Sequence, residues 1–519
     1  MSAQPVAAAI VPPPLEGARK AVTAVALALG TFMQVLDTSI ANVSIPTIAG
    51  DLGVSSDQGT WVITSFAVAN GVSVPLTGWL MQRFGVVRTF VVSVALFTVA
   101  SLLCGLAWSL PSLIVFRVLQ GGVSGPMIPG SQALLINVFG PAKRPTALAI
   151  WSLTTLVAPI AGPLLGGYIS DNYVWPWIFL INVPVVVLCA LLCWNNLKHE
   201  ETPTRKLPID RIGLVLLFVW VGALQIMLDK GKDLDWFNST VIIALLLVTI
   251  VGFAAWLVWE LTEKHPIVDL SLLASRSFSL GTLALCLGYA VFFGNIVLMP
   301  LWLQSFVGYT ATWAGLVSAP SGVTAIFTSL LVPRLMRRLD PRMLAASSFG
   351  LYGLSYFMRA GLVANASFFD FVAPQLVQGL AMGLFFVSML AVIFDGLPAQ
   401  RIPAASGLSN FLRITAGSFA TSLTTTFWDR RETLHQARLA DSVTVFSPSY
   451  QQSLAQLHRF GLPDQGAAGA LTQTMVAQSY LLSSLDLFYL SAWLCVALIP
   501  LCFLVRRPVA GGAAPVAAD

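Results

Sequence analysis

The sequence predicts an all-α membrane protein: two six-helix bundles with two further helices inserted between them, fourteen spans in all. Three observations predict it. Only 10% of the 519 residues are charged and 56% are hydrophobic. A soluble domain carries about 25% charged residues, so lipid rather than water must cover most of this surface. Apolar runs of about 20 residues, the length a helix needs to cross a bilayer, recur along the chain. Finally, a stretch of the first half returns in the second half in the same orientation.

The elements follow in order. An Ala/Pro-rich tail, 1–20, ends in Arg19-Lys20. The next run, 21–47, is too long for a signal-peptide core and contains Asp37, so it reads as the first span and not as a leader. Runs at 60–80, 89–109, 111–138, 145–170 and 178–195 complete an N-terminal six-helix bundle, 21–195. A charged linker, 196–211, leads to the inserted pair at 212–229 and 240–261. The C-terminal bundle, 278–505, holds runs at 278–304, 312–333, 343–363, 368–396, 403–427 and 480–505. Its last two runs flank a polar segment, 428–479, in which short helices are expected at 429–440 and 450–460. Residues 506–519 form a tail.

An even number of spans puts both termini on one side, and the positive-inside rule says which. With the N-terminus in the cytoplasm, roughly 19 of the 28 Lys and Arg residues fall in cytoplasmic segments. Only Lys230, Lys232, Arg430, Arg431, Arg438 and Arg459 fall outside. Arg117, Arg359 and Arg413 lie within apolar runs.

The repeat pairs Arg117-Val118-Leu119-Gln120-Gly121 with Gln375-Leu376-Val377-Gln378-Gly379, Gly125 with Gly383, and Pro141-Ala142-Lys143-Arg144 with Pro398-Ala399-Gln400-Arg401. A weaker echo joins Gly85-Val86-Val87-Arg88 to Leu339-Asp340-Pro341-Arg342. Parallel repeats of six spans belong to transporters that rock two bundles around a central site.

Several functions are excluded. The net charge of +5 is spread over short loops, which gives no basic patch for nucleic acid. The six cysteines sit in or beside apolar runs without disulfide or zinc spacing, and His199, His265, His435 and His458 show no metal-ligand spacing. An enzyme would need a polar cluster at one membrane face, and a receptor a signalling domain. No GxxxxGK[ST] loop is present. Without nucleotide or other cofactor, an ion gradient is the energy source the sequence leaves.

Asp37 and Arg117 carry the expected chemistry. Asp37 lies roughly 15 Å from the outer end of its run, and Arg117 roughly 9 Å from the outer end of its own. A carboxylate at membrane depth is a functional candidate, because burial opposes its charge and a nearby cation restores it. Its protonation can then follow conformation. The competing reading is an aspartate satisfied by Thr38, Ser39 or backbone. A guanidinium keeps its proton, so Arg117 is expected to tune Asp37 directly or through Gln120. Arg359 is nearer a helix end and reads as a side chain reaching the interface.

Pro159, Gly162, Pro163, Gly166 and Gly167 in the fifth run predict a kinked helix closely packed at a seam between bundles. The loop with Gly78, Arg83, Gly85 and Arg88 predicts a tight interhelical turn. A substrate cavity is expected from Asn42, Trp61, Tyr289, Phe293, Asn295, Gln304, Asn410 and Arg413, a mixture of aromatic and polar groups inside spans.

These motifs together resemble the major facilitator superfamily, and its fourteen-span drug:proton antiporter branch. Gly78…Gly85…Arg88 is similar to the loop motif after span two, with Gln82 where the family has an acid. Arg117-x-x-Gln120-Gly121 resembles the span-four motif tied to proton coupling, Gly162-Pro163-x-x-Gly166-Gly167 the span-five antiporter motif, and Leu36-Asp37-Thr38-Ser39-Ile40-Ala41-Asn42-Val43 the span-one motif of this branch. Stretches such as Trp177-Ile178-Phe179-Leu180-Ile181-Asn182-Val183-Pro184 and Gly308-Tyr309-Thr310-Ala311-Thr312-Trp313-Ala314-Gly315 resemble the EmrB family of inner-membrane pump subunits. That resemblance implies export of hydrophobic toxicants driven by protons, an EmrA-type periplasmic adaptor and an outer-membrane channel as partners, and a Gram-negative inner membrane. Segment 428–479 is the expected adaptor contact. A dedicated exporter of one metabolite or siderophore is the alternative.

Overall fold

The computed structural model describes residues 16–505 apart from 207, 364, 365, 445, 461 and 462. The expected tails therefore fall almost wholly outside the described residues. The described chain is helical throughout its regular structure. In the first half, α1 (Gly17–Val43), α2 (Trp61–Ser73), α3 (Thr77–Phe84) and α4 (Val86–Gly105) are followed by α5 (Leu110–Ser124), α6 (Met127–Phe139), α7 (Arg144–Asn172) and α8 (Asn182–Leu197). Next come α9 (Arg211–Lys230) and α10 (Thr240–Thr262). The second half contains α11 (Arg276–Ser305), α12 (Ala311–Leu335), α13 (Pro341–Ala360), α14 (Phe368–Ile393), α15 (Ile402–Ser442), α16 (Pro448–Arg459) and α17 (Asp464–Leu504).

Local chemistry sets many of these ends. Ser109 caps α5 in a reciprocal box with Ser112, ahead of Pro111 in the first turn. Asp210 caps α9 by accepting from Gly213 N at 2.9 Å, and Thr310 caps α12 by accepting from Trp313 N at 3.3 Å. Pro75 and Pro126 fall at the two breaks, between α2 and α3 and between α5 and α6.

Among the described residues, ten helices are long and apolar enough to cross a membrane. Counting α2 and α3 as one span bent by 55° makes eleven. The segment 110–139 misses because its two helices are each short, and α13 and α15 because polar and small residues dilute them. The two expected helices of the polar segment are both present. The first is not separate: α15, 41 residues long in all, runs unbroken past its apolar part to Ser442, and α16 is the second.

The sequence repeat has a packing cause. A Cβ on Gly121 would collide with the Phe66 carbonyl of α2, and one on Gly125 with Ser73. In the second half, one on Gly379 would collide with Ser321 of α12, and one on Gly383 would come within 2.8 Å of Ser329 N. So α5 lies backbone to backbone on α2 as α14 does on α12, and only glycine leaves room at both crossings.

The halves meet along α7 and α12, where Ile160 and Leu164 fill the spaces over Gly322 and Gly315. At the end of the molecule carrying the loop at 85, Gly78 of α3 lies against Ala404 of α15, whose Cα a Cβ would approach to 3.0 Å. The α9–α10 hairpin packs on α2, with Val221 over Gly71. It also reaches the second half, where the Ser422 hydroxyl donates to the Leu228 carbonyl at 2.6 Å and Trp236 Nε1 to the Thr426 hydroxyl at 2.9 Å.

Candidate functional site

Asp37 and Arg117 meet inside the first half. Arg117 Nη1 donates to Asp37 Oδ2 at 2.6 Å, and the two residues are 0% and 1% exposed. The helices dictate the meeting: α1 carries the acid, and α5 can bring its arginine this close because Gly121, one turn on, lets it lie against α2. Arg117 Nε donates to the Val62 carbonyl at 3.0 Å, and its guanidinium lies 4.3 Å from the Phe66 ring centre and 5.4 Å from that of Phe179.

Gln120 completes the expected set. Its Nε2 donates to Asp37 Oδ1 at 3.1 Å and to Ser101 Oγ at 2.7 Å, while its Oε1 accepts from Arg117 Nη1 at 2.7 Å. Asn182, at the start of α8, was not singled out by the sequence. Its Nδ2 donates to Asp37 Oδ1 at 2.7 Å. The acid is thus held by donors from α5 and α8. The available signal was an amide inside an apolar run, the same signal that marked Gln120.

This pair is closed to water in the described arrangement. A carboxylate and a guanidinium here neutralise one another, which is the condition for burying either. Adding a proton to Asp37 removes the attraction, because Arg117 keeps its charge. In the described arrangement the pair fastens α1 to α5.

The expected seam helix carries that grip outward. On one face of α7, a Cβ on Gly162 would collide with Ser39 of α1, and one on Gly166 would lie 3.2 Å from the Ile40 carbonyl. Ser39 Oγ also donates to the Pro159 carbonyl at 3.2 Å. Asp37 is two residues away on the same helix. The other face of α7 carries Ile160 and Leu164 against α12. Gly167 faces open space, and the side chain of Pro163 is outside the described residues. The two prolines do not interrupt the helix, which runs unbroken from Arg144 to Asn172.

The loop motif is built with help from elsewhere. Gly85 takes a φ of +94°, and a Cβ there would collide with the Glu201 carboxylate. Glu201, in the linker, accepts from Val87 N at 3.0 Å and Arg88 N at 2.9 Å at the start of α4. Arg83 stacks near Trp79 and Phe84, 5.3 and 5.6 Å from their ring centres.

The expected cavity residues divide. Tyr289 and Phe293 stack at 5.3 Å, and the Arg413 guanidinium lies 4.5 Å from the Tyr289 ring centre. Asn410 Oδ1 accepts from Arg413 Nη2 at 3.0 Å. These four come together. Asn295 instead donates to Ser491 Oγ of α17 at 2.9 Å, inside the second half. Asn42, Trp61 and Gln304 are exposed and do not join the cluster. Lys230 lies 5.8 Å from the Trp61 ring centre, and Gln304 bonds back to its own helix at Pro300.

Arg359 does not reach an interface. It is 1% exposed, held by Gln375 Oε1 at 3.1 Å and by Gln378 Oε1, and flanked by the rings of Tyr356 and Phe488. Its distance from the helix end was short along the sequence, but α14 and α17 cover that end. Among the described residues no group of three or more His, Cys, Asp or Glu is placed to hold a metal ion.

Residues 27–421 match the family model described as Major Facilitator Superfamily. The chain is 49% identical over 500 residues to "Multidrug export protein EmrB" of Escherichia coli (strain K12), covering 96% of this chain and 98% of that one. It is 45% identical to "Fatty acid resistance protein FarB" of Neisseria gonorrhoeae, covering 96% and 99%. Among solved structures, it superposes with a TM-score of 0.54 at 14% identity on an inward-facing, unoccupied bacterial homolog of the human lysosomal transporter Spinster, over 95% of this chain and all of that one.

Proposed function

From the premise that this chain belongs to the Major Facilitator Superfamily, we propose that it is a proton-coupled multidrug efflux antiporter working by alternating access. The observation that carries the proposal is the fully buried Asp37–Arg117 pair, set two residues from the α1–α7 contact. The relatives named for multidrug export support the substrate class.

The cycle follows from charge. With the site open outward, Asp37 takes a proton, its bond to Arg117 weakens, and substrate leaves. With the site open inward, Asp37 loses the proton and rebinds Arg117, and the substrate cavity is restored. One face of α7 follows α1 and the other abuts α12, so a change at Asp37 is felt at the seam between the halves. Only the difference in proton concentration across the membrane gives the cycle a direction.

We further read fourteen spans. Support comes from the helices that miss the hydropathy test: 110–139 taken as one broken span, α13, and the apolar part of α15. The bundles are then 21–195 and 278–505, with linker 196–211 and inserted pair 212–261 between them. The distribution of basic residues supports cytoplasmic termini, and the relatives from Escherichia coli and Neisseria gonorrhoeae support the inner membrane of a Gram-negative bacterium. An EmrA-type adaptor, leading to an outer-membrane channel, would bind segment 428–479. The described residues of that segment are largely helical and expose Phe446 and Phe460.

The test is purified protein in proteoliposomes with an imposed pH gradient. Drug should move against its own gradient when protons can flow the other way, and stop when the gradient is collapsed. Transport indifferent to the gradient would remove the antiporter reading.

A further inference from the structure

In the described arrangement the surroundings of Asp37 suit a carboxylate. Oδ1 accepts from Gln120 Nε2 at 3.1 Å and from Asn182 Nδ2 at 2.7 Å, and Oδ2 accepts from Arg117 Nη1 at 2.6 Å. Among the described residues, every side chain bonded to the acid is a donor. Facing α1, α5 brings Arg117 and Gln120, α4 brings Ser101 and, through Gln120, Cys104, and α8 brings Asn182. The contacts from α6 and α7 are Ser131 on Thr31 and the Pro159 carbonyl on Ser39. Arg117 is the one charged side chain that bonds Asp37 among the described residues.

A protonated Asp37 has different needs. Its O–H requires an acceptor, and a buried hydroxyl without one is costly. Oδ2 faces a guanidinium that keeps its own proton, so the added proton belongs on Oδ1, opposite the two amides. Gln120 cannot receive it. Its Oε1 already accepts from Arg117 Nη1 at 2.7 Å and from Cys104 Sγ at 3.6 Å, and turning that amide over would aim Nε2 at the guanidinium. Asn182 can: its Oδ1 is buried and has no donor. A half-turn about the Cβ–Cγ bond exchanges that oxygen with Nδ2, which lies 2.7 Å from Asp37 Oδ1, within the range of an O–H···O bond. Ser101 Oγ, 3.3 Å from Nδ2, can donate to the same oxygen after the turn. One amide atom lacks a partner in either orientation, so the proton on Asp37 decides between them. Gln34 Oε1 is also buried without a donor, but among the described residues no side-chain atom of Gln34 bonds Asp37.

We propose that Asn182 is the positioning residue for the coupling proton: its side-chain amide donates to the Asp37 carboxylate and turns over to accept from the Asp37 acid. The inference rests on the proton-coupled reading and adds the group that accommodates the proton. In the charged state, Arg117 and Asn182 both hold Asp37. In the protonated state the ion pair with α5 is gone, and the bond to α8 remains. Each state keeps its hydrogen bonds inside a dry site, so no water has to enter to stabilise the acid.

The experiment is pH-dependent difference infrared spectroscopy on the full-length protein in lipid nanodiscs. The C=O band of protonated Asp37 is identified by its loss in Asp37→Asn. A carboxylic acid that donates its O–H absorbs at lower frequency than a free one, and wild type should show the lower band. Asn182→Leu matches the shape but neither donates nor accepts, so the band should move to higher frequency. The pH midpoint of its appearance should also rise by about one unit, because the lost bond to the carboxylate is the stronger of the two. Gln120→Leu removes only a donor to Asp37, so it should raise the midpoint and leave the band in place. If Asn182→Leu does not fold, Asn182→Val makes the same comparison with a smaller side chain. A band that stays put in the Asn182 variant, or moves equally in the Asn182 and Gln120 variants, would overturn the proposal and leave the coupling reading standing. If acidified wild type gives no band that Asp37→Asn abolishes, Asp37 takes up no proton, and the coupling reading falls together with the proposal.

Discussion

The two halves of the molecule use one packing scheme and place their buried charges differently. In the first half, Gly121 and Gly125 bring α5 onto α2, and Arg117 finds Asp37. In the second half, Gly379 and Gly383 bring α14 onto α12, but Gln375 stands in the place of Arg117. The arginine sits instead on the neighbouring α13, as Arg359, and it meets two glutamine oxygens and no carboxylate among the described residues. One half therefore pairs its buried arginine with a carboxylate, and the other holds its arginine with amide oxygens alone. The duplicated scaffold gives both halves the same close helix crossing and only one of them a buried ion pair.

The loops follow the same division. In the second half, Asp340 caps its own helix by accepting from Arg342 N at 2.9 Å. At the matching place in the first half the sequence offers no acid, and Glu201 of the linker reaches across to cap α4. The first half has lent its loop to the linker, which ties the inserted hairpin to this bundle.

Changes at these positions break or sharpen the comparison. The largest effect is expected from Asp37→Ala, which strands Arg117 in a dry interior. The loss should be about 3–5 kcal/mol of stability, seen as a large drop in melting temperature of the detergent-purified protein. A melting temperature like that of wild type would mean that the pair is not closed to water. Next, Gly121→Val and Gly379→Val should both fail to yield folded protein, or yield it with melting temperature lowered alike, since each forces a Cβ into the backbone of the facing helix. If only one were harmful, the claim of a shared packing scheme would not survive.

Arg359→Met should separate the halves more cleanly. Replacing the buried cation with an apolar chain removes its desolvation cost but leaves the Gln375 and Gln378 oxygens without that donor, so stability should change by no more than about 1–3 kcal/mol, and gradient-driven transport should persist. Loss of coupling in this variant would place part of the proton machinery in the second half. The smallest effect belongs to Glu201→Gln. It removes the charge at a helix N-terminus and one of the two oxygens that accept from Val87 N and Arg88 N, and should cost about 1 kcal/mol. The matching Asp340→Asn change in the second half should cost a similar amount, read by thermal melts of both.

Much of this was legible in the sequence because an apolar background makes polar residues conspicuous. Asp37, Arg117 and Gln120 stand out in runs of Leu, Val and Phe, and their helices bring them into one cluster. The Gln-Gly repeat was visible for the same reason, and its meaning as a close helix crossing follows from glycine. What the chain order hid was lateral. Asn182 sits 145 residues from Asp37 and joins it only because α8 packs on α1. Arg359 looked peripheral because a linear distance to a helix end says nothing about the helices beside it. Glu201 lies in a charged linker, where one acid looks like any other until the loop at Gly85 turns toward it. The cavity residues were chosen by type, and type alone could not tell Arg413, which is buried against Tyr289 and Phe386, from Gln304, which is exposed.

On the proposed function, the buried Asp37–Arg117 pair of the first half converts a proton gradient into drug movement. The most direct measurement is efflux from proteoliposomes under an imposed pH gradient, comparing wild type with Asp37→Asn, which keeps the shape and loses the charge. The account predicts that the variant still binds drug while uphill, gradient-driven transport falls at least tenfold, to the level of liposomes without protein. Uphill transport in Asp37→Asn equal to that of wild type would contradict it and move the coupling site out of the first half's core.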